Sequence, residues 1–307
     1  MAQLQRPELA YVGGRLVSWE QATLHVGSEA VTRGLSVFEG LKAYWSSDGT
    51  MRVAMPRQHY IRLQRSAKLL HIPFSLSYDD YLRSVDMLIG ALAKPDRDMW
   101  ARTTLFGVEG HWGENTIADL IVTGYHQGKT PADPLTVGVS TWRRSADVAL
   151  PPRIKTGSNY EVSRLARIEG RPQGYEDMVL LNGSGRVAEA TASCILMVRN
   201  GAIITPPATE GALESITVDL VEAIAQSMGV PFIRRPIDRT ELLIADELAI
   251  CGTLHEITPI KNFSGTAMPV PGPVMGKIRN RYFDAMRGVQ PHPAVEMVAL
   301  PSVKKAA

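Results

Sequence analysis

The sequence predicts an α+β fold in two domains, and three observations carry that reading. Strand-like and helix-like stretches are mixed, without the strict β-α-β alternation of a parallel doubly wound sheet. At 307 residues the chain is long for one core. A cluster of turn formers, Gln127-Gly-Lys-Thr-Pro-Ala-Asp-Pro134, interrupts the strand pattern and reads as a linker. The expected division is a smaller N-terminal domain over 1–126, a linker over 127–134 and a larger C-terminal domain over 135–307.

Taken in order, Tyr11-Val-Gly-Gly-Arg-Leu-Val17 predicts a hairpin turned at Gly13-Gly14, where glycine supplies the positive φ such turns need. Ser36 to Tyr44 predicts a strand, and Ser46-Ser-Asp-Gly49 turns it into a second one over Met51 to Met55. Pro56 opens a helix whose apolar stripe is Leu63, Ala67 and Leu70. Ser77 with Asp80 caps a helix running to about Ala93. Strands follow over 99–106 and 118–125, separated by the loop Gly107-Val-Glu-Gly-His-Trp-Gly113, which is either a mobile active-site element or a simple connection. Past the linker come a strand over Leu135 to Trp142, a helix after Lys155, and a hairpin over Met178 to Val198 turned at Gly183-Ser-Gly185. A helix from Ile216 to Met228 stops at Gly229, Glu247 to Thr253 is a buried-type strand, and Pro273 to Arg287 closes the chain as a helix.

Composition narrows the function. A 45% apolar and 21% charged chain is ordinary for a globular protein, and a net charge of +2 with scattered basic residues gives no reason to expect nucleic acid. Cys194 and Cys251 lie far apart in apolar strand-like runs without CxxC spacing, which predicts buried, reduced thiols. The N-terminus lacks an apolar signal-like core and no apolar run approaches ~20 residues, so a soluble cytoplasmic protein is expected. The seven histidines show no HExxH or paired-ligand spacing, and no metal is implied.

The stretch that organises the rest is Leu150-Pro-Pro-Arg-Ile-Lys155-Thr-Gly-Ser-Asn-Tyr160. Two prolines stiffen the approach, Gly157 permits a tight bend, and an apolar helix-like run follows, so Lys155 is held rather than freely solvated. Downstream come Gly174-Tyr-Glu-Asp-Met-Val-Leu-Leu-Asn182, then Gly185-Arg-Val-Ala-Glu189-Ala-Thr191, Leu213-Glu-Ser-Ile216-Thr217-Val-Asp219 and Cys251-Gly-Thr253-Leu254-His-Glu-Ile-Thr-Pro259. In this order the motifs resemble the class IV (fold type IV) aminotransferases. That family uses pyridoxal phosphate (PLP) and contains the branched-chain and D-amino-acid aminotransferases and aminodeoxychorismate lyase.

The resemblance implies a role for each matching residue. Lys155 becomes the Schiff-base lysine, acting as free amine and then as general base and acid for a 1,3-proton shift. Tyr160, in the family's Lys-x-x-x-Asn-Tyr pattern, would hydrogen-bond the cofactor's phenolic oxygen, or else be an amphipathic core tyrosine. Glu189, framed by apolar neighbours, would face the pyridine nitrogen and keep it protonated; a surface strand glutamate is the alternative. Arg62, by itself an ordinary surface arginine, joins the helix start at Ile216 and Thr217 as the phosphate site, with hydroxyls from Thr217 and Thr253. The backbone at Thr253 and Leu254 would also face the substrate carboxylate.

Departures from the branched-chain pattern concern the substrate more than the cofactor. Ser215 and Val218 stand where glycine and arginine are usual, and Cys194 replaces an asparagine. Arg33 and Trp100 occupy the positions of two pocket tyrosines. With Arg102, Arg33 suggests a cationic side that holds a keto-acid carboxylate such as that of 2-oxoglutarate, though a structural salt bridge serves Arg33 equally well. Phe38 and Trp100 supply an apolar wall. The expected activity is transfer of an amino group from a hydrophobic, branched-chain L-amino acid to 2-oxoglutarate by a homodimer. Its alternatives are a D-amino acid or (R)-amine transaminase, aminodeoxychorismate lyase, or a PLP-binding protein without catalysis.

Overall fold

The structure, a computed structural model, describes residues 5–303. The first half comprises β1 (Leu9–Val12), β2 (Arg15–Ser18), α1 (Glu29–Thr32), β3 (Ser36–Trp45), β4 (Met51–Ala54), α2 (Pro56–Leu69), α3 (Tyr78–Leu92), β5 (Asp98–His111) and β6 (Glu114–Gln127). The second comprises β7 (Leu135–Arg143), α4 (Ser158–Gly170), β8 (Asp177–Leu181), β9 (Val187–Ala190), β10 (Cys194–Arg199), β11 (Ala202–Thr205), α5 (Ile216–Ser227), β12 (Phe232–Arg234), β13 (Glu247–Gly252), β14 (Glu256–Phe263), β15 (Thr266–Ala267), α6 (Pro273–Met286) and β16 (Met297–Ala299).

Two sheets result. A seven-stranded one runs β16-β4-β3-β5-β6-β1-β2, and a nine-stranded one runs β12-β11-β10-β13-β14-β7-β8-β9 with β15 on β14. The mixed α and β content agrees with the expected class, including antiparallel and parallel pairs within one sheet. Gln127 ends β6 and Leu135 begins β7, so the turn-former segment runs between the sheets. The final strand does not stay with the second half, however: β16 pairs antiparallel with β4 of the first sheet.

Helix starts follow local chemistry. Pro56 occupies the first turn of α2, where its missing N–H costs nothing. Ser77 and Ser215 cap α3 and α5 by accepting from Asp80 N and Val218 N. The loop expected at Gly107 to Gly113 is instead mostly strand. β5 and β6 continue through two register shifts to His111 and Glu114, and Gly110 and Gly113 take the left-handed conformations the tip requires. The hairpin expected over Met178 to Val198 is split: β8 and β9 pair with each other, whereas β10 leaves to pair with β13. That pairing sets Cys194 opposite Cys251, both buried and unpaired. Among the described residues no helix is long and apolar enough to cross a membrane.

Candidate active site

Lys155 sits where the two halves meet. Its backbone N–H donates to Ser66 Oγ of α2 at 3.1 Å, and its carbonyl accepts from Phe38 N of β3 at 2.9 Å. The preceding turn is tied to α4 by Asn159, whose Nδ2 donates to the carbonyls of Pro151 and Ile154 at 3.0 and 2.9 Å. Nζ lies 2.7 Å from the Tyr160 hydroxyl and 5.0 Å from the centroid of the Phe38 ring. Gly157 corrects one expectation. Its φ of −53° and ψ of −39° are ordinary helix values, so no tight bend demands glycine. It lines the cavity, and an added Cβ there would meet no protein atom within 4 Å. The missing side chain therefore keeps ligand space open.

That cavity, about 340 Å³, gathers the expected residues Phe38, Arg62, Trp100, Arg102, Lys155, Tyr160, Glu189, Ile216, Thr217, Thr253 and Leu254. Glu189 reaches it from the buried strand β9. One carboxylate oxygen pairs with Arg144 Nη2 at 3.0 Å, and the other accepts from Leu213 N at 3.0 Å. Arg62 approaches from α2, gripped by Glu39 through Nε and Nη2 at 2.7 Å each, while Nη1 donates to the Glu214 carbonyl at 2.7 Å. A guanidinium has five N–H groups, so at least two are left for a ligand. Burial opposes ionisation of Glu39, but Arg62 and the hydrogen-bonded His59 outweigh it and hold the carboxyl at about 2. Beside Arg62 opens the N-terminus of α5, where the N–H groups of Ile216 and Thr217 precede the first intrahelical donor.

The apolar wall comes from β3 and β5. An added Cβ on Gly40 would sit 2.8 Å from Trp100 Nε1, so glycine there makes room for the indole. Arg102 stacks on Phe38 with Cζ 3.8 Å from the ring centroid. Burial pushes its pKa down, and among the described residues it has no carboxylate partner. Arg33 is not in this cavity. It caps the C-terminus of α1, is exposed, and stacks on Trp112 at 4.9 Å; no carboxylate partners it among the described residues, so the salt-bridge alternative has no support either.

Glu39, His59, Ser66, Arg144 and Asn159 are the supporting residues that sequence reasoning missed. Glu39 left one signal, a lone carboxylate inside a strand otherwise apolar around it. Arg144 left none, because its partners Asn159 O and Glu189 meet it only through the fold. Cys194 also lines the cavity, but burial pushes its thiol up to about 12, which leaves it protonated and unreactive.

An amine held by a phenol, a carboxylate fixed by an arginine, and an anion cradle of Arg62 plus a helix N-terminus share one cavity with glycine-kept space. This donor set fits pyridoxal phosphate. The family model for amino-transferase class IV matches residues 36–263. The chain belongs to the class IV aminotransferases. This transaminase is 32% identical over 279 residues to the probable branched-chain-amino-acid aminotransferase of Synechocystis, covering 89% of this chain and 90% of that one. It superposes with a TM-score of 0.89 on the branched-chain aminotransferase of Thermoproteus uzoniensis, solved with norvaline, at 30% identity over 94% of this chain and 98% of the other. The Thermobaculum terrenum branched-chain enzyme in its PLP form gives a TM-score of 0.85 at 31% identity over 95% and 98% of the two chains. The transaminase is thus a PLP-dependent enzyme.

Proposed function

We propose that this transaminase moves the amino group of a hydrophobic, branched-chain L-amino acid to 2-oxoglutarate. The observation that carries the reading is the junction of an apolar wall with a half-buried arginine that lacks a carboxylate partner among the described residues. Phe38, Trp100 and Leu254 offer an aliphatic side chain a dry surface, while Arg102, stacked on the same Phe38 ring, is ready for a keto-acid carboxylate. A site that alternates between a hydrophobic donor and an acidic acceptor needs both. The names of the curated relatives and solved neighbours support the same donor class.

When bound, pyridoxal phosphate supplies an electron sink for the pair released as the substrate Cα–H bond breaks. Lys155 would hold the cofactor and, once displaced by substrate, would accept the Cα proton at Nζ and hand it on two atoms away, completing a 1,3-proton shift. The Tyr160 hydroxyl, 2.7 Å from Nζ, restrains where that amine travels. Glu189, paired with Arg144 and accepting from Leu213 N, would sit opposite the cofactor's ring nitrogen and balance its charge. Arg62, Ile216, Thr217 and Thr253 would hold the phosphate, and Thr253 and Leu254 would present backbone to the substrate carboxylate. The reading includes a cytoplasmic homodimer. Two free thiols suit a reducing compartment, and exposed Val31 and Trp112 beside Arg33 suit burial by a second copy.

One cuvette tests this. The purified holoenzyme should show a visible cofactor band that L-leucine, L-isoleucine or L-valine bleaches and 2-oxoglutarate restores. Bleaching by D-amino acids or (R)-amines alone would overturn the donor assignment. Lys155→Ala should lose the lysine-bound band and slow turnover by about three orders of magnitude or more; an active variant with an unchanged spectrum would reject Lys155 as the anchor.

A further inference from the structure

A second cavity opens at the base of the long β5–β6 pair, at the end opposite the Gly110 and Gly113 tip. It measures about 320 Å³, is lined by Gln5, Lys94, Arg97, His126, Gln127 and Gly128, and shares no residue with the cofactor cavity.

Local chain geometry brings its cations together. Lys94-Pro95-Asp96-Arg97 joins α3 to β5 as a tight turn, with Pro95 second, Asp96 third at φ +61°, and Arg97 N donating to the Lys94 carbonyl at 3.3 Å. The two ends of such a turn lie within about 7 Å, so Lys94 and Arg97 stand side by side. Asp98, next in the chain, pairs with Gln127, and Met99 pairs with His126, which sets the end of β6 beside the turn. Neither Lys94 nor Arg97 has a carboxylate partner among the described residues, because the Asp96 carboxylate between them is paired with Lys129 instead.

His126 adds a donor. Its Nδ1 is buried and has no hydrogen-bond partner among the described residues. A buried, unpaired N–H is costly, so the neutral ring carries its proton on Nε2. Burial pushes this imidazole below its ordinary value, and the positive charges of Lys94 and Arg97 act in the same sense, with Glu8 acting against them. The fields of both cations therefore meet at the ring.

We infer that Lys94, Arg97 and His126 form an anion site that takes a phosphate group, free or carried by a small molecule. Two cations suit a dianion, and the several oxygens of a phosphate can accept from both side chains and from Nε2–H at once. The cavity falls in the size range of small-molecule pockets, so the organic part of a phosphate monoester has room along Gln5 and Gln127. This site is separate from the cradle of Arg62 and α5 and does not depend on the transaminase reading.

The test is isothermal titration calorimetry of the holoenzyme, whose cradle the cofactor's own phosphate fills. The probes are inorganic phosphate and glycerol 3-phosphate, in chloride of matched ionic strength. Wild type should bind phosphate saturably at one site per chain with the visible cofactor band unchanged. Lys94→Ala and Arg97→Ala should each weaken binding about fivefold, the upper share of an exposed charge pair. His126→Ala should weaken it too, and His126→Gln, which restores an N–H, should recover part. Lys68→Ala removes an exposed cation elsewhere and should change nothing. Tighter binding of the ester assigns the site to a phosphorylated small molecule; an ester bound no more tightly than phosphate assigns it to the free anion. The site is overturned by the absence of saturable binding, by binding that survives both Lys94→Ala and Arg97→Ala, by equal weakening in Lys68→Ala, or by loss of the cofactor band during the titration.

Discussion

The titratable residues at and behind the cavity are tuned by neighbours rather than by their own chemistry, and acid should expose this. Glu39 is fully buried and its carboxyl is held at about 2, against an ordinary 4.5. The folded state gains from this ionisation above pH 4.5, and the gain is lost as pH falls through the folded value near 2. His255 works in a higher window. Burial holds it near 4 against an ordinary 6.5, so the unfolded chain takes up a proton first and stability falls between pH 6.5 and 4. The buried His59 shifts in the same direction, burial outweighing Glu39. Calorimetric unfolding of the holoenzyme should therefore show its midpoint dropping already below pH 6.5, and His255→Gln should flatten that upper limb. An unchanged limb would mean that the imidazole is protonated in the fold. Lys155, Tyr160 and Glu189 were legible in the sequence because each belongs to a short motif whose spacing survives without the fold. Arg144 and His59 were not, since each acts on a partner that only tertiary packing brings near.

Elements were legible where a local signal starts or stops them: Pro56, Ser77 and Ser215 announced three helices correctly, and Gly229, at φ +69°, stops the third. The pairing of strands was not, because β10 chooses β13 over β9 for reasons of distant burial. One strand start carries visible strain. Glu256, first residue of β14, is buried with φ +52°, directly after Thr253, Leu254 and His255. Lys42 Nζ at 2.9 Å and the Tyr44 hydroxyl at 2.7 Å hold its two carboxylate oxygens, so β3 of one sheet pins the turn that feeds β14 of the other. Lys42→Met should destabilise the protein by about 3–5 kcal/mol, the cost of stranding a buried charge. Adding Glu256→Gln to it should recover part of the loss, measured as a double-mutant cycle by denaturant unfolding. Strict additivity of the two substitutions would show that the ion pair contributes nothing to the clamp.

At the scale of the whole molecule, composition marks the segment over 127–134 that joins β6 to β7, but the return of β16 to the first sheet left no such mark: Met297–Ala299 is a short strand whose partner lies far back in the sequence. Arg33 poses the same problem between molecules. Its place in the sequence pattern points to the substrate, yet it lies outside its own chain's cavity, stacked on Trp112 at the tip of the long β5–β6 hairpin. Val26 and Val31, close to it in sequence, and Trp112 and Ile117, on the β5–β6 hairpin, are 77%, 53%, 78% and 54% exposed, apolar side chains that a monomer would leave in water. Both facts are reconciled if a second copy covers this surface and receives Arg33 at the mouth of its own cavity. Light scattering should then find a dimer, and Trp112→Glu should shift it towards monomer. In the dimer, Arg33→Ala should raise KM for dicarboxylic acceptors about fivefold to tenfold more than for monocarboxylic ones, the share expected of one charged contact. Equal changes for the two classes would remove Arg33 from acceptor selection, and a wild-type monomer with full activity would remove the second copy from the site.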